Sequence, residues 1–351
     1  MRRLAVAVAV VIASTAASGA LSAPRDIHAS AGHGPSKRGL SAFAINPQNP
    51  EVVYAGSGSG IFKSTDGGAN WQAVNAGLTE RYVFDLAIDQ RHPAVLYAAT
   101  SSGVFKSTNA ARSWRRTRGL TTIDTVSLAL HPRDSRLVYA ATDEGVYKSI
   151  DAGASWRKTT TDPNAVRVFT VALDPKHPAI VYAGSGGGVF KSTDAGRSWE
   201  ARNLGLFPNE TPDEHSLVEG NVSAIVVNPR RPRTLYLGGY ARGVLKSTDG
   251  AGIWRPVNTG LSKRLVGSLA IDPGEPQTLY TGTYSSPGLY KTTDGGGRWS
   301  AIGPPGKGNV LALAIDPTRP ATVYVGMFDG AEAYKSTDGG RTWSVLSIPV
   351  P

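Results

Sequence analysis

Every tryptophan in the chain falls on one ruler. Trp71, Trp114, Trp156, Trp199, Trp254, Trp299 and Trp343 are separated by 43, 42, 43, 55, 45 and 44 positions. Tyr54, Tyr97, Tyr139, Tyr182, Tyr236, Tyr280 and Tyr324 keep the same register, as do Lys63, Lys106, Lys148, Lys191, Lys246, Lys291 and Lys335. Three rulers in phase mean one unit repeated seven times. A period in the low forties, built from short apolar runs and tight turns, is that of propeller blades. Composition agrees: 41 Gly and 23 Pro in 351 residues imply frequent turns, and no window sustains a helical period. The expected fold is all-β, a seven-bladed β-propeller of four-stranded antiparallel blades.

Each unit reads as four strands. The inner one, such as Leu86-Ala87-Ile88-Asp89 or Leu313-Ala314-Ile315-Asp316, is almost wholly apolar, as a strand buried on both faces should be. It ends in a turn such as Asp174-Pro175 with Pro178, where Pro stops the ladder and the Asx side chain caps the turn. A second strand centres on the Tyr, and a third reads Gly-Val-Phe-Lys-Ser, as at Gly188 to Ser192. A hairpin then returns through the Trp as the outermost strand. That hairpin carries Ser/Thr-x-Asp-x-Gly-x-x-Trp, with Asp66, Asp151, Asp194, Asp249, Asp294 and Asp338 at the acidic place. Blade two has Asn109 and Ala111 where Asp and Gly are expected, and blade five has Ala251 for Gly. Asp and Ser oxygens accept turn N–H groups, Gly supplies the positive φ, and the Trp plugs the space between sheets. Near-identical copies in every blade mark these carboxylates as structural.

Starting at Leu40, the chain closes after Trp343 with complete blades; exchange of residues 24–38 or 344–351 into a blade at the other end is the alternative closure. The first residues read as an export signal. Arg2 and Arg3 precede an apolar run from Leu4 to Ala13, then small residues with cleavage after Ala20 or Ala23. The expected division is a signal peptide over 1–23, a linker over 24–38 and the propeller over 39–351. The apolar run is too short to span a bilayer, no Cys follows it to carry a lipid, and no later stretch is apolar enough to cross. With no cysteine anywhere, an exported chain must rely on its core rather than on disulfides. A net charge of +10 favours acidic polymers or anionic surfaces, but Lys and Arg form no basic run, which argues against nucleic acid. A secreted monomer, extracellular or periplasmic, is the expectation.

The run Tyr-Ala-Gly, Gly-Val-Phe-Lys-Ser-Thr-Asp-Gly-Gly and Trp resembles the BNR/Asp-box propeller superfamily from residue 40 to about 345. That group includes sialidases, xyloglucanase-type glycoside hydrolases, sortilin-type receptors and a photosystem II assembly propeller. The likeness speaks for the fold and leaves the task open. Sialidases of this kind carry an Arg-Ile-Pro motif before the first box, and Pro24-Arg25-Asp26-Ile27 does not match it. The xyloglucanase type has two propellers, each giving a catalytic Asp from the loop between second and third strands. The nearest matches are Thr142-Asp143-Glu144-Gly145 and Phe328-Asp329-Gly330-Ala331, but there is one propeller here.

Ligands of such propellers meet the face formed by the loop entering each inner strand and the loop between second and third strands, opposite the boxes. Function is therefore expected where the blades differ on that mouth. Candidate ligand-binding residues are Arg81, Tyr82, Arg167, His215, Tyr240, Arg242, Arg264, Tyr284 and Phe328. An insertion from Leu206 to Glu219, which contains His215, is the largest departure from the repeat. Catalytic candidates, for a glycoside hydrolase, are Asp143, Asp329, Asp85 and Asp124. No metal site, cofactor site, Ser-His-Asp order or phosphate loop is apparent. The expected partner is a protein or a glycan, held without catalysis. An assembly factor for a membrane complex is a further alternative.

Overall fold

The computed structural model describes residues 39–351, except 121–122, 161–166, 207–220, 240–241, 263, 285, 305–308, 329 and 331. Their strands form seven separate four-stranded sheets, each from four consecutive antiparallel strands. The first blade is typical: β1 (Leu40–Ile45), β2 (Val53–Ser57), β3 (Gly60–Ser64) and β4 (Gln72–Ala73). The inner strands of the other six are Val83–Ile88, Thr125–Leu130, Val168–Leu173, Val222–Val227, Val266–Ile271 and Val310–Ile315. This is the architecture the repeats predict. Among the described residues no helix is long and apolar enough to cross a membrane.

Inner and second strands are buried almost without exception, so the core lies in layers between adjacent sheets rather than in one central mass. Every inner strand meets its partner with a register shift near its start, as between Val83 and Asp85. Such a bulge sharpens the local twist just below the mouth.

The tryptophans lie one step outside the expected position. Each outer strand begins directly after the Trp, as at Arg115–Arg116 after Trp114. The indoles of Trp114, Trp156, Trp254, Trp299 and Trp343 bond to the preceding blade, whereas that of Trp71 donates to Gly68 in its own box. The Trp114 amide donates to the Ala76 carbonyl at 2.8 Å and its indole N–H to the Val74 carbonyl at 2.8 Å. Trp254 and Trp299 do the same with Arg202 and Val257, at 2.8 and 2.7 Å.

The Tyr and Lys rulers have one common explanation. In six of the seven pairs both side chains reach the same backbone carbonyl in the next blade's box, and in blade four Lys191 reaches that of Gly250. Tyr97 Oη and Lys106 Nζ donate to the Ala152 carbonyl at 2.9 and 2.7 Å. Tyr236 and Lys246 share the Gly295 carbonyl at 3.1 and 2.9 Å. Each ammonium also lies 5.2 to 5.6 Å from the centre of its tyrosine ring, close enough for a cation–π contribution. Burial pushes the Tyr54, Tyr139 and Tyr236 hydroxyls up to about 12, so they remain donors at any ordinary pH.

The ring closes by this same device. Residues 344–347 stay in their own blade, pairing with Glu332–Ser336. Tyr324 Oη and Lys335 Nζ then donate to the Gly67 carbonyl of blade one at 3.0 and 2.8 Å. Arg319 adds an ion pair to Glu51 at 2.6 Å, and Phe43, Trp71, Leu346 and Ile348 pack into one apolar cluster across the seam.

Candidate functional site

On the box face, the polar side chains are spent on the turn itself. In blade one Ser64 Oγ donates to Asp66 Oδ1 at 2.8 Å and accepts the Gly68 amide at 2.8 Å, while Asp66 accepts the Asn70 amide at 2.8 Å. The other complete boxes repeat this set. The backbone amides and hydroxyls donating to Asp66 and Asp151 hold both carboxyls at about 2, well below the usual range. Blade two keeps the geometry with substitutes: Asn109 Oδ1 accepts from Ser107 at 2.9 Å and from the Ser113 amide at 3.0 Å. Ala111 takes the Gly place at φ 65°, and Ala251 does so in blade five at φ 70°. The cycle of bonds, rather than the glycine, defines the box.

The mouth is laced differently. In blades one, two, three, six and seven the loop after the second strand hydrogen-bonds to the segment entering the same blade's inner strand, while Arg167 ties blade four to blade three and Gly243 ties blade five to the entry of blade six. The Ser101 amide donates to the Tyr82 carbonyl at 3.3 Å, the Asp143 amide to the Asp124 carbonyl at 3.2 Å, and the Arg167 amide to the Asp143 carbonyl at 2.8 Å. Gly243 bonds to Arg264 at 2.9 Å, Tyr284 to Leu265 at 3.0 Å and Phe328 to Asn309 at 2.9 Å. Backbone bonds thus hold the segments that carry these candidates against one another, within a blade or across a blade boundary.

An Asn in the outer connection supports this lacing. Asn75, Asn203 and Asn258 each accept the amide of the second residue of the third strand (Ile61, Val189 and Val244), at 2.7 to 2.8 Å, and the latter two also donate to the loop carbonyls of Gly187 and Arg242. The Asn recurs in these three blades in phase with the Trp. Its partner lies 14 residues upstream, which hides its role in the sequence.

Blades two and three give the mouth an acidic arc. Glu80 Oε1 accepts the Arg81 and Tyr82 amides at 2.7 and 2.9 Å, and Glu144 is held by the Tyr147 hydroxyl at 2.9 Å. The Asp124 carboxyl is pushed up from its ordinary value by partial burial first, and then by Asp143 and Glu80. Asp143 is pushed up by partial burial and by Glu144, with Arg167 offsetting part of this. Arg167 itself sits at φ 56°, a left-handed conformation that turns the chain toward Asp143.

The opposite arc is aromatic and basic. The Tyr284 ring lies against Gly267, where a Cβ would come 2.9 Å from the ring and would press it aside. Phe328 and Arg242 are half-buried at the mouth, and Arg264 is exposed. Tyr240, Asp329, His215 and the insertion after Leu206 lie outside the described residues. Leu206 is buried between blades four and five and anchors the start of that insertion.

Asp85 stands apart from the mouth. It is 3 % exposed and faces the boundary between blades two and three. Its Oδ1 accepts the Leu86 amide and its Oδ2 the Leu128 amide of the next blade, each at 2.8 Å. Desolvation pushes it up to about 7 despite these bonds. The other blades have Ala42, Ser127, Thr170, Ala224, Ser268 and Ala312 at this register position. Among the described residues no group of three or more His, Cys, Asp or Glu side chains could hold a metal ion.

Fold and box geometry together define a seven-bladed propeller consistent with the BNR type. No protein-family model matches the chain, and no curated protein matches it in sequence. Solved structures do share its fold. An ancestral GH74 enzyme superposes with a TM-score of 0.72 at 22 % identity, over 89 % of this chain and 46 % of that one. The GH74 xyloglucanase of Xanthomonas campestris gives 0.71 at 19 % identity, over 90 % and 55 %. YCF48 bound to D1 peptide gives 0.60 at 14 % identity, over 84 % and 92 %. The chain thus spans about half the length of the GH74 proteins it resembles.

Proposed function

We propose that this protein is an exported, non-catalytic propeller that holds a protein or glycan ligand on its mouth face. One observation carries the reading. The box face uses its polar groups internally, whereas the mouth uses backbone bonds to present unlike side chains: acids on blades two and three, aromatics and arginines on blades five to seven. A face that mixes aromatic and charged side chains suits a sugar or an extended peptide. The peptide held by YCF48 on the same fold supports a peptide ligand, and the export signal over 1–23 supports a place outside the cytoplasm. The test is capture from immobilised glycan and peptide panels. Tyr82→Ala, Tyr284→Ala and Phe328→Ala should each weaken capture by about tenfold or more. Capture unchanged in all three variants would sink the reading.

The raised carboxyls of Asp124 and Asp143, each pushed up first by partial burial and then by neighbouring acids, favour a second reading, glycoside hydrolysis, because carboxyls with raised pKa serve as general acids. Turnover of a chromogenic glycoside that disappears in both Asp124→Ala and Asp143→Ala would establish it in place of the first.

A further inference from the structure

The turns that leave the inner strands are linked from blade to blade. Gln48 Nε2 donates to the Arg91 carbonyl at 3.4 Å and Arg91 Nη1 to the Arg133 carbonyl at 2.6 Å. Arg133 Nη2 donates to the Lys176 carbonyl at 3.2 Å and Lys176 Nζ to the Arg230 carbonyl at 2.6 Å. Arg230 then faces Glu275 at 3.9 Å, and Arg319 pairs with Glu51 across the seam. These turns lie on the box face, because every box hairpin donates an amide to the turn of its own blade, as Ala152 does to Arg136 at 2.8 Å.

The link itself needs no charge, since the neutral Gln48 makes it in blade one. The next four blades nevertheless use a cation. Arg91, Arg133, Lys176 and Arg230 are all exposed. Among the ion pairs of the described residues, only that of Arg230 with Glu275 involves any of the four. A bond to a backbone carbonyl leaves the positive charge in place. The turns of these blades, 89–94, 131–136, 174–179 and 228–233, hold seven Lys and Arg against three Asp. Those of the other three, 46–51, 272–277 and 316–321, hold one Arg against four carboxylates. Box carboxylates occur in every blade but the second, so they do not undo this asymmetry. One half of the face is positive.

The same half carries two exposed aliphatic side chains. Ile150, 67 % exposed, and Ile253, 37 % exposed, sit in the boxes of blades three and five. The other six boxes have Thr in place of Ile150, and Asn, Ser, Arg or Thr in place of Ile253.

We infer that this half of the box face docks the protein on an anionic lipid bilayer and leaves the mouth turned away from the membrane. Cations at equivalent positions of four successive turns lie at one end of the blades, so a flat anionic surface meets them together. Electrostatic attraction holds the face to the headgroups, and the two isoleucines add apolar contact at the acyl boundary. A soluble polyanion would use the cations alone and leave Ile150 and Ile253 in water.

The test is cosedimentation of the mature chain with phosphatidylcholine vesicles, with and without phosphatidylglycerol, across a salt series. The charge variant is Arg91→Gln, Arg133→Gln and Lys176→Gln, in which glutamine can keep the turn-to-turn bond as Gln48 does. Its control removes three exposed charges from the outer rim, as Arg115→Gln, Arg118→Gln and Lys158→Gln. The apolar variant, Ile150→Thr and Ile253→Ser, gives both boxes residues that other blades carry there. All three variants should melt like the parent. The parent and the control should bind the phosphatidylglycerol vesicles alone and come off as salt rises. Binding should weaken about tenfold or more in the charge variant and about threefold or more in the apolar variant. Equal weakening in the charge variant and its control would reduce the effect to net charge and overturn the proposal. So would no binding of the parent to anionic vesicles, undiminished binding of the apolar variant, or tighter binding to heparin or duplex DNA at the same salt.

Discussion

Gly103→Ala is expected to destabilise the propeller by more than about 4 kcal/mol, or to prevent blade two from forming. Gly103 has φ 96°, which L side chains rarely adopt, and a Cβ there would overlap the Leu120 carbonyl oxygen. The obstruction is backbone, so no rotamer change relieves it. At Gly60, Gly188 and Gly243 a Cβ would instead meet the Asn75, Asn203 or Asn258 side chain. Blade two has Arg118 at that Asn position, and its entry segment closes on the loop through Leu120. Gly330→Ala is the matched control: its nearest neighbour is the Glu332 amide nitrogen at 3.9 Å. Thermal unfolding of the two variants should separate them widely; near-equal midpoints would contradict the packing at Gly103.

The second large effect is a pH dependence. Asp85 rises from 3.8 to about 7 on folding because its carboxyl leaves water. Below pH 4 it is protonated in both folded and unfolded chains and imposes no penalty. Between pH 4 and 7 the unfolded chain gives up this proton first, so stability falls as pH rises, by about 4 kcal/mol over the full interval. The box carboxylates act oppositely. Their folded values are depressed, so their contribution is present above pH 4 and lost as pH falls toward 2. Asp85→Asn should therefore gain on the parent steadily from pH 4 to pH 7.5 and track it below pH 4. Parallel melting-temperature curves across that range would show that Asp85 is not sealed in the boundary.

The architecture was legible because each blade repeats the same local chemistry, and a local rule repeated with one period is a global fold. The Tyr and Lys rulers were visible but mute. Lys106 and its acceptor Ala152 are 46 residues apart, and the acceptor is a backbone carbonyl that no residue type announces. Asn109 and Ala111, which stand where Asp and Gly are expected, take those places within one hydrogen-bond cycle. On the mouth, sequence difference drew attention to the segments of Tyr82, Asp124, Asp143 and Tyr284, whose backbones are hydrogen-bonded there. It also drew attention to Asp85, whose strand position mimics a mouth residue while its side chain turns into the blade boundary. Only pairing register separates those two cases.

The central claim is that ligand binding belongs to the mouth and ring stability to the boxes. Amide hydrogen exchange, with and without a ligand captured from the glycan and peptide panels, tests it most directly. The account predicts slowed exchange at Ser101, Asp143, Arg167, Tyr284 and Phe328, with the box amides of Gly68, Gly153 and Gly340 unchanged. Protection confined to the box hairpins, with the mouth amides unaltered, would contradict it.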